Sequence, residues 1–181
     1  MRRTKNLPRQ IAFWLSFLPP LVASAQDRAP PAREDQLKAG YVLNFARFVE
    51  WPESTPTILT LCVAGNSGVL DALRASEGKI RIGARAVRLR EVGPADAVSG
   101  CNVLYLEMPN VRRVEQVQPN SATLTVSNDK GFAHSGGAIE LFTQDNRLRF
   151  IINIENARRA GLRISSSLLQ LAAAVEGGVS P

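Results

Sequence analysis

The stretch QLKAGYVLNFARFVEWPE, residues Gln36 to Glu53, decides how the rest of the chain is read. Leu37, Tyr41, Phe45 and Phe48 recur at spacings of four, four and three, with Val42 and Val49 filling out the same stripe. That is the period of an amphipathic helix packed on a core. Asp35 is placed to accept from the first free N–H groups, and Pro52 cannot donate into a continuing helix, so the helix is expected to end at about Glu50 or Trp51. Core packing leaves two features over. Asn44 stands within an apolar surface, and Trp51 is fixed against a proline where the chain leaves the helix. Asn44, Phe48 and Trp51 are therefore candidate contact residues for a partner.

The remainder of the chain alternates strands and helices. Ile58–Ala64 is a near-continuous apolar run closed by Gly65, the signature of a strand buried on both faces. A short helix, Val69 to Ala75, follows a cap at Ser67. Strand, glycine turn and helix start together are the setting of a phosphate site. Gly65 and Gly68 alone, however, lack the full glycine pattern and the P-loop lysine, so no nucleotide site is assigned. Residues 79–90 read as an exposed hairpin or edge strand and 94–98 as one helical turn. Residues 101–108 read as a second buried strand, 110–117 as a short helix and 122–126 as a third strand. Residues 139–143 and 148–154 flank a hairpin turn at Gln144-Asp145-Asn146-Arg147. The chain closes with a helix over 155–160, a break at Gly161 and an amphipathic helix over 165–175 whose first serines serve as its cap. This order predicts a single layered α/β domain with a mixed five- or six-stranded sheet flanked by helices on both faces.

The first 25 residues have the three parts of a secretory signal. Arg2, Arg3, Lys5 and Arg9 precede an apolar run from Ile11 to Val22, and Ala23-Ser24-Ala25 is an A-x-A cleavage site. The apolar run is interrupted by Pro19 and Pro20 and is far short of the roughly 20 residues a membrane span needs. An exported protein with no membrane span in its mature part is expected, with residues 26–34 a proline-containing disordered leader, 35–176 the domain and 177–181 a flexible tail. The net charge of +6 comes from 22 basic and 16 acidic residues, and the signal holds four of the basic ones. The remaining 156 residues carry a net charge of only +2, which removes the argument for nucleic acid.

Catalytic chemistry is sparse. His134 is the one histidine and lies in a glycine-rich loop, so no His cluster for a metal and no Cys–His nucleophile is expected. No cofactor is assigned. Cys62 and Cys101 number two in an exported chain, one within the first central strand and one opening the second. They form a disulfide if those strands are neighbours, or else stay as two buried thiols. Arg158, Arg159 and Arg163 make one compact basic patch, either cations near a helix C-terminus or a contact for an acidic partner or ligand.

Three segments together carry a family resemblance. The pattern K-A-x-Y-x-x-N-F-A-x-F-x-x-W-P spans Lys38 to Pro52. It is followed by Thr123-Leu124-Thr125-Val126-Ser127 with Gly131-Phe132 and Gly136-Gly137, and then by Arg149 to Leu169 with its Ala157-Arg158-Arg159-Ala160-Gly161-Leu162-Arg163 core. In this order they resemble the YfiR family of small periplasmic regulators. The resemblance implies a non-enzymatic protein that binds the periplasmic domain of an inner-membrane diguanylate cyclase, or of a sensor kinase, and represses it. Cyclic di-GMP, and through it biofilm formation, would be the output. The alternative is a periplasmic small-ligand-binding sensor subunit of a sensor kinase or transport system. A homodimer is left open. Four-cysteine members of the family carry a second pair near the Gly136–Thr143 hairpin, and this chain has none there.

Overall fold

In the computed structural model, residues 31–65, 68–107 and 110–178 are described; the expected signal and the Ser67 cap lie outside them. The first helix, α1, runs Pro31–Arg47, so it begins four residues before Asp35 and takes in the end of the expected leader. Lys38 explains the extension: it is buried, and its ammonium meets Glu34 at 3.0 Å and Asp35 at 3.9 Å, one helical turn back. The inward stripe is Ala39, Val42, Phe45 and Ala46 rather than Leu37, Tyr41, Phe45 and Phe48. Small residues at 39 and 46 let α1 approach the sheet closely, which turns Leu37 (49% exposed) and Phe48 (39% exposed) outward. Tyr41 and Phe45 reach the far strands instead, edge-to-face on Phe150 at 6.1 and 4.9 Å.

The helix also stops earlier than expected. Val49–Glu50 forms a strand, β1, antiparallel to Arg163–Ile164 (β9), with Val49 opposite Ile164 and Glu50 opposite Arg163. Pro52 biases Trp51 away from helical backbone. The indole Nε1 of Trp51 then donates to the Ala46 carbonyl at 3.0 Å, taking up one of the acceptors the helix end leaves free.

Among the described residues the main sheet holds eight strands, more than the five or six expected. In chain order they are β2 (Ile58–Ala64), β3 (Arg81–Ile82), β4 (Arg85–Val92), β5 (Val103–Leu106), β6 (Leu124–Ser127), β7 (Ile139–Gln144), β8 (Arg147–Asn153) and β10 (Ala174–Glu176). Their spatial order is β10-β8-β7-β6-β5-β2-β4-β3, antiparallel at β3/β4 and β7/β8 and parallel elsewhere. Two short edge strands, β3 and β10, make up the excess. The β7–β8 turn puts Asp145 at φ 49° and Asn146 at φ 57°, the paired left-handed residues of a type I′ hairpin.

Side chains alternate between two cores. On one face Leu59, Leu61, Val63, Val103, Tyr105 and Leu124 meet α1 and α2 (Gly68–Arg74). On the other, Cys62, Ala64, Leu104 and Leu106 meet Val114 and Phe132. The cover here is thin: a 3-10 helix, Asn110–Gln116, and the loops over residues 93–101 and 128–138. Residues 94–98 open with a single turn, closed by the Asp96 N–H on the Gly93 carbonyl at 3.1 Å, and the Asp96 carboxylate takes the Gly93 N–H at 2.8 Å. The strands β2 and β5 are parallel neighbours, and Cys62 and Cys101 are joined as a disulfide with Cα atoms 5.7 Å apart. Arg90 lies on it, with Nε 3.2 Å from one sulfur and a terminal nitrogen 2.8 Å from the other.

Near the C-terminus, α3 (Ile154–Arg159) starts on an Asn153 side chain that accepts from the Asn156 N–H, and it ends before Gly161 at φ 78°. The last helix, α4 (Ser166–Leu171), is capped by Ser165 as expected but is much shorter than residues 165–175. Ala174 to Glu176 leave helix to pair with β8, whose outer edge would otherwise stay open. Pairing a sheet edge outweighs the helix preference of three alanines.

Candidate functional site: the end of the first helix and the α3–α4 groove

The β1–β9 ladder brings the two candidate regions of the sequence together. The Ser165 N–H donates to the Phe48 carbonyl at 3.0 Å, so exposed Phe48 and exposed Arg163 flank the same two-residue ladder. Beside it is a groove of about 200 Å³ floored by Ile154, Ala157, Leu162, Ile164 and Leu169, with Arg158 and Arg163 at its rim. Arg163 Nε is 3.7 Å from Glu50, and Arg158 is 4.0 Å from Glu155. Both pairs are long and solvated, which leaves the guanidinium groups open to a better partner. An exposed aromatic ring, an apolar floor and two weakly paired cations thus lie on one surface.

Not every expected residue joins this surface. Trp51 is half-buried and closes the helix end, so its ring belongs to packing. Asn44 is exposed and accepts from Arg47 at 2.9 Å on the helix surface. Arg159 faces away and lines a second cavity on the other side of α3. The sequence reading missed Glu50, Leu162 and Ile164; the alternation Leu162-Arg163-Ile164 is a strand signal, but at that length it is invisible without its partner.

Outside this surface the titratable groups are scattered. His134 is exposed, with Nδ1 3.2 Å from Glu176. Glu140 is buried and accepts the Ala133 N–H at 3.2 Å. Burial pushes the Tyr105 hydroxyl far above its usual range, and the adjacent Glu107, which accepts its proton at 3.0 Å, adds to the rise. Among the described residues no group of three or more His, Cys, Asp or Glu is arranged to hold a metal ion.

The fold defines a disulfide-bonded, mixed α/β domain. The chain belongs to the YfiR/HmsC-like family, whose model matches residues 35–173. Two solved structures share the fold. One is from Streptococcus pneumonia, described as an ABC domain in complex with L-Trp, at 12% identity and TM-score 0.53 over 76% of this chain. The other is a conserved domain protein from Vibrio cholerae O1 biovar El Tor, at 11% identity and TM-score 0.53 over 78% of this chain. The match spans 60% of the length of each of those proteins. No helix among the described residues is long and apolar enough to cross a membrane.

Proposed function

We propose that this chain is exported by cleavage after Ala25, acts in the periplasm without catalysis, and represses an inner-membrane diguanylate cyclase by binding its periplasmic domain. Family membership supports the regulatory role. The observation that carries the binding reading is the juxtaposition of exposed Phe48 with Arg163 and the groove edged by Arg158. Phe48 supplies apolar area at the centre, and the two arginines select an acidic rim on the partner. Asn44 borders the same helix end. Repression needs only tighter binding to the inactive cyclase than to the active one; about 10⁴-fold preference moves a population from 1:99 to 99:1.

The experiment is a gene deletion with two complementing copies. Deletion raises cellular cyclic di-GMP and surface attachment, the full-length copy restores them, and a copy lacking residues 1–25 does not. Unchanged cyclic di-GMP together with a shifted kinase-dependent response would make a sensor kinase the partner instead.

A further inference from the structure

The second cavity, about 240 Å³, opens between the thinly covered sheet face and α3. It has room for about eight waters at liquid density, or for one small metabolite. Its buried end has hydrogen-bonding capacity that the protein does not use. Thr125 is 4% exposed and accepts from the Ala138 N–H at 2.8 Å, and among the described residues its own O–H has no acceptor. Asn156 gives both amide hydrogens to the carbonyls of Ala133 and Gly137, at 3.0 and 2.8 Å, which leaves Oδ1 free to accept. Val114 and Val117 form an apolar wall.

Two charges complete the lining, Arg159 from α3 and Glu115 from the 3-10 helix. Among the described residues neither side chain makes a hydrogen bond or an ion pair, and they do not pair with each other, whereas the neighbouring Arg158 does meet a carboxylate. One cavity thus presents an unpaired cation, an unpaired anion and an apolar wall between hydrogen-bonding groups. A phosphate dianion is disfavoured by Glu115, and a plain cation by Arg159. We propose that the cavity binds a small zwitterion whose carboxylate pairs with Arg159, whose ammonium faces Glu115 and whose apolar body lies on Val114 and Val117. A charge-assisted Arg–carboxylate bond is the strongest single contact in that arrangement.

Calorimetric titration of the chain recovered from the periplasmic fraction with three matched probes tests this. L-leucine carries both charges, 4-methylpentanoate only the negative one and 3-methylbutylamine only the positive one. L-leucine is expected to bind at least about tenfold more tightly than either analogue, the step one lost charged hydrogen bond gives. Arg159→Gln weakens L-leucine by a similar factor, and Glu115→Gln abolishes its preference over 4-methylpentanoate. Both positions are exposed, so melting temperatures stay at the wild-type value. No heat with L-leucine at millimolar concentration overturns the assignment, as does equal binding of 4-methylpentanoate or L-leucine binding that neither variant alters. Phe48→Ala leaves the titration unchanged, which separates this site from the partner surface.

Discussion

Phe45 and Phe48 stand three residues apart, the first in the last turn of α1 and the second just past its end, and their environments assign them opposite work. Phe45 is 1% exposed and packs edge-to-face on Tyr41 and Phe150 at 5.7 and 4.9 Å. Phe45→Ala leaves a cavity that cannot collapse between a helix and a sheet, and it should cost about 3 to 5 kcal/mol in denaturant unfolding. Phe48 is 39% exposed, so Phe48→Ala should leave the unfolding midpoint nearly unchanged while weakening capture by the periplasmic domain of the proposed cyclase partner tenfold or more. Equal losses of stability for the two variants would return Phe48 to the core. Trp51→Ala belongs with Phe45 in this comparison, because its indole N–H closes the helix end at Ala46. A side chain's type and its period both mark it as apolar, but neither says which residue of a stripe meets the sheet. That is set by the small neighbours Ala39 and Ala46, and the rotation they allow appears only when helix and sheet are packed together.

At the scale of elements, the long strands, the β7–β8 turn, the cap at Ser165 and the break at Gly161 were legible in the sequence, because each rests on local chemistry. The two-residue ladder β1–β9 and the edge strand β10 were not. Their residues have no strand pattern of their own and take extended backbone only because a distant segment offers hydrogen bonds. The same dependence on distant contacts governs the loop over residues 128–138, which stands in for a helix on the second face. Phe132, 1% exposed, plugs that core, and the Gly137 N–H closes the loop onto the Phe132 carbonyl at 2.9 Å. A Cβ at residue 137 would fall on the Phe132 ring. Gly137→Ala should therefore cost about 1 to 3 kcal/mol by overpacking, and Phe132→Leu on that background should recover part of the loss. Gly178→Ala, with open space around its Cβ, should be neutral in the same thermal melts. If both glycine variants melted alike, the loop would be shown to yield freely and not to cap the core.

Over the whole molecule, the thin second face raises the question of what holds it closed. On the first face α1 and α2 bury a broad apolar surface, whereas the second relies on a 3-10 helix and two loops around a smaller cluster. The Cys62–Cys101 bond lies in that smaller cluster and closes a loop across 39 residues, tying β2 to the segment that enters β5. Its sequence basis was partial: an even cysteine count in an exported chain favours a bond, two cysteines in apolar strands also fit buried thiols, and the adjacency of β2 and β5 decides. In the chain-entropy picture a loop of that length constrains the unfolded chain by about 4 kcal/mol. The Cys62→Ala, Cys101→Ala double variant should lose stability of that order in denaturant unfolding, with a steeper dependence on denaturant because the unlinked denatured chain exposes more surface. Arg90 makes the single variants unequal to the double one. With both sulfurs gone, its guanidinium still reaches the carbonyls of Ala97 and Ser99, at 3.4 and 2.9 Å. With one cysteine left, the same guanidinium would lie beside a sulfur buried in the native fold and favour its thiolate when the thin second face opens. Each single variant should thus react with a thiol reagent under native conditions faster than in the presence of an added Arg90→Met change. A rate that Arg90→Met leaves unaltered would mean that the arginine serves only to pack the sulfurs.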